Sequence, residues 1–178
     1  MASDTRDRIL DALERTLVDV GVAQVTLEGV AAAAGVSKGG LLYHFPTKEA
    51  MLAAMVRRLG ERGDARLADA VAGGTPVAEW YLADPDETGD SAEMDLFRST
   101  VAALRSADGR HDDVHRAVVE VLRSWDEGLR AEIEDPVTAE IVRLVGDGIY
   151  LGAMLGLPKP DPELHRRVVA RLLGTKNP

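Results

Sequence analysis

The sequence of 178 residues lacks cysteine, which excludes a disulfide framework, a cysteine-ligated zinc finger and thiol catalysis. Aromatic residues are scarce, at 4% of the chain. Long apolar runs are also missing: the longest, Ile149 to Leu157, has nine residues, whereas a helix that crosses a bilayer needs about 20. The charged first residues contain no apolar segment, so we expect no secretory signal, no membrane span and a cytoplasmic protein.

Motifs of common catalytic sites are absent from the sequence as well. There is no Gly-x-Ser-x-Gly nucleophile turn, no phosphate-binding loop of the Walker type and no His-Glu-x-x-His metal site. His111 and His115 stand four residues apart, which suits a metal ion, but the solvated start of a helix explains them more simply. We therefore expect neither an enzyme nor a bound metal or cofactor.

The negative charge of the chain is confined to its second part. The formal net charge is −9. Residues 1–62 contain 8 basic and 8 acidic residues, whereas residues 63–178 contain 13 basic and 22 acidic residues. Because acidic groups repel phosphate, the neutral N-terminal part is the part that can approach a nucleic acid.

Apolar residues recur at spacings of three and four, a period that predicts an all-helical protein of about nine helices. Ile9, Leu13 and Leu17 mark the first of them. The pattern divides the chain into a three-helix unit over residues 1–48 and a longer helical domain over residues 49–178.

The stretch from Thr26 to Lys48 has the pattern of a helix-turn-helix. Thr26 and Ser37 each precede a short amphipathic segment, as N-cap residues do. Gly35, between the two segments, supplies the positive φ that a tight turn needs, and Val36 places an apolar side chain under that turn. The second helix of such a motif enters the major groove of DNA, although plain packing of two helices also explains a turn of this kind.

Eight residues share a position at the start of a helix or on the outer face of the second helix of the motif. These candidate DNA-binding residues are Thr26, Ser37, Lys38, Gly39, Gly40, Tyr43, His44 and Lys48. Leu41, Leu42 and Phe45 are better interpreted as core residues. Tyr43 and His44 extend beyond these apolar residues, so they are able to stack on a base or form hydrogen bonds.

The N-terminal third of the chain resembles the DNA-binding domain of the TetR/AcrR family of bacterial transcriptional repressors. The matching residues are Ile9-Leu10, Ala12, Gly21, Thr26, Val30-Ala31, Ala34-Gly35-Val36-Ser37, Gly39, Leu41, His44-Phe45, Lys48-Glu49 and Leu52. By this resemblance, Thr26 and Lys48 correspond to phosphate contacts. The positions that the resemblance assigns to base or backbone contacts are those of Lys38, Gly39, Gly40, Tyr43 and His44.

The chain departs from the family pattern within the second helix of the motif. The family often has Thr-Leu-Tyr where this chain has Gly40-Leu41-Leu42. The usual tyrosine contact to phosphate is therefore missing at Leu42, and Tyr43 is the candidate to replace it.

The resemblance also implies that the chain from residue 49 onward binds a small-molecule effector and forms a dimer. The candidate ligand-binding residues are large and apolar or aromatic: Trp80, Met94, Phe97, Trp125, Tyr150 and Met154. An ordinary core is the competing interpretation for each of them. No basic cluster accompanies these residues, so we expect a neutral or cationic amphipathic effector.

Glycines recur every four residues near the C-terminus, which predicts a ridge where another helix can approach closely. The residues assigned to a dimer interface are Gly148, Gly152 and Gly156 on this ridge and Val168 and Leu172 on the last helix. The helix with the glycine ridge and the last helix, taken from each of two subunits, together form a four-helix interface. The alternative is that the glycines relieve crowding within one subunit, but a helix-turn-helix usually reads paired half-sites, which favours a homodimer.

We therefore expect a homodimeric, one-component transcriptional regulator that binds double-stranded operator DNA, most simply a repressor. In this hypothesis a ligand moves the fourth helix and changes the spacing of the two groove helices. The alternative from another class is a helical small-molecule-binding or interaction module that does not bind DNA.

Overall fold

The computed structural model describes residues 2–85, 93–99 and 112–174. All regular secondary structure in these ranges is helical. The prediction of an all-helical chain is therefore confirmed for the described part of the sequence.

The helices are α1 (Ala2–Val20), α2 (Leu27–Ala34), α3 (Lys38–His44), α4 (Lys48–Ala72), α5 (Val77–Leu82), α6 (Asp112–Glu132), α7 (Pro136–Met154) and α8 (Pro162–Leu172). A short 3-10 helix, Val22–Gln24, lies between α1 and α2. The backbone of residues 93–99 is also helical.

Local cap residues determine where the later helices begin. The carboxylate of Asp135 accepts hydrogen bonds from the backbone N–H groups of Val137 and Thr138, and Asp161 caps α8 in the same way through Leu164. Each aspartate is followed by a proline, whose fixed φ suits the first helical position. Hydrogen bonds from Thr138 and from the backbone lower the pKa of Asp135. The carboxylate is therefore charged at neutral pH and interacts favourably with the helix dipole.

Contacts between Cα atoms divide the chain into two units. The first comprises the described residues of Met1–Glu61 and Ala92–Val121, and the second those of Arg62–Ser91 and Leu122–Pro178. The helix α4 begins in the first unit and continues into the second. The boundary proposed from the sequence, between residues 48 and 49, marks the end of the helix-turn-helix and stays a prediction.

The core of the first unit is formed by apolar residues of α1, α2, α3 and α4. Its largest fully buried side chains are Ile9, Leu10, Leu13, Leu17, Val30, Leu41, Met51, Leu52, Met55 and Leu59. At its edge, the guanidinium of Arg58 on α4 forms ion pairs with Glu14 and Asp11 on α1, at 2.5 and 2.8 Å. These ion pairs fix α4 against α1 beside the buried apolar residues.

Glycines on α4 allow close packing against α6 in both units. In the first unit, a Cβ atom at Gly60 would overlap the side chain of Val121. In the second, a Cβ atom at Gly63 would lie 2.8 Å from Cζ2 of Trp125. Neither position has room for a larger residue, so α4 and α6 are in direct contact along these glycines.

The second unit is organised around α5 and α7, which pack against each other. Its buried apolar residues are Ala78, Leu82, Leu129 and Val142. The two carboxylate oxygens of Glu132 accept hydrogen bonds from the backbone N–H groups of Val77 and Ala78, at 2.7 and 2.9 Å. A side chain at the end of α6 therefore caps the start of α5.

The ring of Tyr81 on α5 lies directly over Gly146 on α7. Its hydroxyl donates a hydrogen bond to Oδ1 of Asp147 at 2.6 Å. Burial and this carboxylate raise the pKa of Tyr81. A Cβ atom at position 146 would overlap the ring and would lie 2.9 Å from the backbone oxygen of Tyr81. Glycine is therefore required at this contact.

Replacing Gly146 with alanine should lower the free energy of unfolding by about 1–3 kcal/mol, because the added methyl group overpacks the contact with Tyr81. Denaturation in urea at fixed protein concentration measures this change. The matched control is Gly128→Ala on α6, where an added Cβ would lie 3.5 Å from Cγ1 of Val77. That variant should keep or gain stability, by up to ~1 kcal/mol from helix propensity. A Gly146→Ala variant as stable as Gly128→Ala would contradict the described packing.

Candidate nucleic-acid interface

Two hydroxyl groups fix the starts of α2 and α3. Oγ1 of Thr26 accepts a hydrogen bond from the backbone N–H of Gly29 at 3.0 Å, and Oγ of Ser37 accepts one from Gly40 at 3.0 Å. A cap of this kind stabilises a helix by about 1 kcal/mol. Both residues are exposed, so each lies at the surface of the motif while it holds its helix.

The turn between α2 and α3 is fixed by Gly35, whose φ of 65° and ψ of 36° lie in the left-handed region. The backbone N–H groups of Gly35 and Val36 close the end of α2 by donating to the carbonyls of Ala32 and Ala31. This arrangement agrees with the interpretation of Gly35 as the turn residue, because glycine takes positive φ without a steric penalty.

Arg8 on α1 binds the main chain of this turn. Its Nη2 donates to the carbonyl of Ala34 at 2.7 Å and lies 3.4 Å from that of Gly35. No pattern in the sequence indicated this role, because the partners are backbone oxygens 26 and 27 residues away. The first helix therefore supports the turn through a specific hydrogen bond as well as through its apolar face.

The side chains of α3 divide into a buried and an exposed face. Leu41 and the following Phe45 are buried, and Leu42 is partly buried. Tyr43 is 84% exposed, and its ring makes an edge-to-face contact with His44 at 5.2 Å between centroids. Tyr43 is therefore the aromatic residue that α3 presents to the outside.

The two glycines at the start of α3 differ in their surroundings. A Cβ atom at Gly40 would lie 3.2 Å from Oγ of Ser37, which is a tight contact. A Cβ atom at Gly39 would meet no atom within 4 Å in the described part of the chain. Packing within the described part of the chain therefore does not explain the glycine at position 39.

Both lysines of the motif already have partners. Nζ of Lys48 donates to the carbonyl of Val22 at 2.8 Å, and partial burial lowers the pKa of this lysine. An ammonium group has two further N–H donors, so its assignment to a phosphate stays a prediction. Nζ of Lys38 lies 2.6 Å from Oε1 of Glu28 on α2. A hydrogen bond from Lys38 lowers the pKa of this carboxylate, so the pair is ionic at neutral pH.

The candidate ligand-binding residues fall into both units. Met94 is buried and Phe97 partly buried in the first unit. In the second, the rings of Trp80 and Trp125 make an edge-to-face contact at 6.0 Å between centroids, and Tyr150 and Met154 are partly buried on α7. The structure therefore brings the two tryptophans together, and the assignment of all six residues to a ligand stays a prediction.

A carboxylate adjoins the tryptophan pair. Trp125 is almost fully buried, and its Nε1 donates to Oδ1 of Asp64 on α4 at 2.8 Å. No feature of the sequence indicated this contact, because Asp64 is an ordinary exposed residue of a long amphipathic helix. The second unit thus combines two aromatic faces with one acidic group.

One face of α7 is apolar and exposed. Its large residues are spaced by four, three, seven and four residues: Val137, Ile141, Leu144 and Leu151 on the helix and Leu155 directly after it. Gly148 continues the same row, and a Cβ atom at Gly148 or Gly152 would meet no atom within 4 Å in the described residues. We call this row of α7 residues, from Val137 to Leu155, the α7 face.

The other candidate interface residues occupy different positions. Gly156, with a φ of 65°, lies beyond the end of α7 and is exposed. On α8, Leu164 and Val168 are exposed, whereas Leu172 is partly buried and packs against the core of its own unit. The assignment of these residues to a dimer contact stays a prediction.

Within the described ranges, no group of three or more histidines, aspartates or glutamates is placed to hold a metal ion. His111, one of the two histidines considered above, lies outside those ranges. None of the described helices has the length and hydropathy needed to cross a membrane.

Two family models match the chain. Residues 9–55 match the model described as bacterial regulatory proteins, tetR family. Residues 76–176 match the model of the tetracyclin repressor-like C-terminal domain. The two matches include the helix-turn-helix and most of the second unit.

Among curated relatives, the HTH-type transcriptional regulator TtgR of Pseudomonas putida is 38% identical over 63 residues, which cover 35% of this chain and 30% of TtgR. The multidrug binding protein EbrR, solved with imidazole, is 30% identical with a TM-score of 0.74 and covers 97% of this chain and 96% of EbrR. A TetR-family structure from Streptomyces coelicolor is also 30% identical, with a TM-score of 0.73 over 94% of this chain and 97% of that structure. The chain described here therefore belongs to the TetR family of bacterial regulatory proteins.

Proposed function

We propose that this protein is a one-component transcriptional repressor that binds operator DNA as a homodimer and releases it when a small amphipathic molecule binds. The observation that carries the proposal is the outer face of α3, where Tyr43 is 84% exposed on a helix that follows a turn held by Gly35 and Arg8. Membership in a family of regulators supports a role that is not enzymatic. Action on genomic DNA corresponds to a cytoplasmic location.

The exposed residues of the motif suit contact with a duplex. When α3 lies in the major groove, Lys38, Tyr43 and His44 are the side chains placed to reach base edges. Thr26 at the start of α2 and Lys48 at the start of α4 flank the groove, where a hydroxyl and an ammonium group bind phosphate oxygens. The absence of a side chain at position 39 allows the backbone to approach the duplex closely.

Two copies of the motif are needed to read paired half-sites, and the α7 face supports such pairing. A contiguous row of exposed large apolar residues marks a protein-protein contact more often than a solvated surface. Leu164 and Val168 on α8 extend the exposed apolar surface. Packing α7 and α8 against the same helices of a second copy forms the four-helix interface expected from the sequence.

The effector is best sought among aromatic cations. Trp80 and Trp125 offer ring faces and edges, and the carboxylate of Asp64 lies beside them. Aromatic rings and carboxylates both attract a cation, and the acid excess of residues 63–178 disfavours an anion. EbrR has been solved with ethidium and with malachite green, at 31% and 28% identity to this chain.

The helix α4 connects this aromatic group with the motif. It begins at Lys48, whose ammonium group binds the carbonyl of Val22, and it continues to Gly63 and Asp64, which both contact Trp125. A ligand that displaces Trp125 therefore acts directly on α4. Such a ligand releases DNA only if it binds the two positions of α4 with different affinity.

The wild-type protein should select a common sequence from a pool of random duplexes. The logarithm of its affinity for the selected duplex should fall linearly with the logarithm of salt concentration, because phosphate contacts release counterions. Fluorescence anisotropy between roughly 50 and 200 mM salt measures this dependence. A protein that enriches no duplex and binds none would overturn the proposal in favour of a module without DNA binding.

Tyr43→Ala should weaken binding to the selected duplex about tenfold, which corresponds to ~1.4 kcal/mol. The matched variant Tyr43→Phe separates the two possible contacts: it should keep the affinity if the ring stacks, and lose it if the hydroxyl bonds a base or phosphate. Because Tyr43 is exposed, both variants should melt at the wild-type temperature. Unchanged affinity in Tyr43→Ala would remove α3 from the interface.

Leu144→Glu should convert the dimer into a monomer, because it places a charge in the middle of the α7 face, where Leu144 is 57% exposed. Light scattering coupled to gel filtration at micromolar concentration measures the mass. The matched control is Leu122→Glu on α6, which is 45% exposed and lies outside that face. If Leu144→Glu remains a dimer, the α7 face is not the interface.

Malachite green should bind the protein, and Trp80→Ala should weaken that binding about five- to tenfold through loss of an aromatic contact with the cation. Equilibrium dialysis measures the dissociation constant, and Tyr43→Ala in the motif serves as the control that leaves it unchanged. Saturating dye should also weaken the operator complex, relative to a control for dye bound to the duplex alone. Binding of the dye with no change in operator affinity would exclude this class of effector.

A further inference from the structure

An ion pair connects the two helices of the motif at its surface. The carboxylate of Glu28 on α2 and the ammonium of Lys38 on α3 are 2.6 Å apart, and their side chains are 62% and 58% exposed. A surface pair of this kind adds little to folding stability. Its position is more informative, because Lys38 opens the helix that the proposed function places in the major groove.

Glu28 is the single acidic residue in the motif. Between residues 22 and 48, the only residues with a formal charge are Glu28, Lys38 and Lys48. The ammonium group of Lys48 is directed to the carbonyl of Val22, so Glu28 neutralises the more exposed of the two cations. An acid at this place lowers the affinity for any duplex, because a lysine that is paired with a carboxylate no longer neutralises a phosphate and releases no counterion from it.

We propose that Glu28 is a specificity-determining residue, and that the Glu28–Lys38 pair reads one C·G base pair in the major groove. This inference rests on the proposed function, since it requires that α3 meets DNA. Glu28 reduces the attraction of Lys38 to phosphates in general. In this proposal, its hydrogen bond to one particular base edge compensates for that loss.

The chemistry of the pair matches the edge of a C·G base pair. In the major groove, cytosine presents its N4 amino donor beside the O6 and N7 acceptors of guanine. The donor N4 and the acceptor O6 share a Watson–Crick hydrogen bond, so they are about 2.9 Å apart. The pair on the protein presents an acceptor and a donor at a similar spacing of 2.6 Å.

Both side chains can bind a base without breaking their ion pair. Oε1 of Glu28 accepts a hydrogen bond from Lys38, and a second lone pair on that oxygen can accept from cytosine N4. Lys38 has two further N–H donors for guanine O6 and N7. An A·T pair offers a donor and an acceptor as well, but lysine finds two adjacent acceptors only on guanine, which favours C·G.

The test compares wild type, Glu28→Ala and Lys38→Ala on the duplex selected by the wild type and on duplexes with each base pair changed in turn. For the wild type, replacing the C·G pair should weaken binding about tenfold. In both variants this penalty should fall to about twofold or less. The two salt slopes should change in opposite directions: steeper by about one in Glu28→Ala, which frees Lys38 for a phosphate, and shallower in Lys38→Ala, which leaves the negative charge of Glu28 without its partner beside the duplex.

The matched control is Asp19→Asn, which removes one negative charge at an exposed position of α1 in the same unit. It should leave every base preference unchanged. Thermal melting verifies that the exposed substitutions do not unfold the protein. The inference is overturned if Glu28→Ala retains the base preferences of the wild type, or if the preference it loses is for a pair other than C·G. A wild-type protein that binds no duplex would overturn the proposed function itself, so the two failures are distinguishable.

Discussion

The left-handed turn at Gly35 is the constraint on which the DNA-facing surface depends. Its φ of 65° ends α2 and sets the direction in which α3 leaves. A residue with a Cβ atom would pay roughly 1 kcal/mol or more for this conformation, and Arg8 holds the turn from α1 by donating to the carbonyl of Ala34. Once the direction of α3 is fixed, Leu41 and Phe45 are buried and Tyr43 faces outward. The exposed face is a consequence of that buried one.

The weak charge of the motif explains why pairing of two copies matters for the proposed function. With Glu28 offsetting one of two lysines, each copy offers little general attraction to phosphates. Affinity then depends on contacts to base edges and on two motifs acting together. The acidic second part of the chain adds none of the missing positive charge. The proposed regulator therefore has a low affinity for DNA of any sequence and a higher selectivity for its operator.

Much of the fold and part of the site could be predicted from the sequence. The all-helical architecture, the caps at Thr26 and Ser37 and the turn at Gly35 are all as expected. The partner of Lys48 could not be predicted, because the carbonyl of Val22 is available only once α4 and the 3-10 helix pack together. The glycine ridge predicts a dimer contact that stays a prediction. The large exposed residues of α7, such as Leu144, could not be predicted, because periodicity alone does not distinguish them from core residues.

The division between sequence and tertiary structure follows from distance along the chain. Caps and turns are determined by the sequence itself, because their donors and acceptors lie within five residues and the backbone has few ways to satisfy them. Only the tertiary structure decided that Glu132 caps α5, that Asp64 accepts from Trp125 and that Tyr81 requires glycine at position 146. These partners are more than 50 residues apart, and many residues of the same chemistry compete for each role. Packing selects among them, because the helices that bury the apolar core bring these particular side chains together.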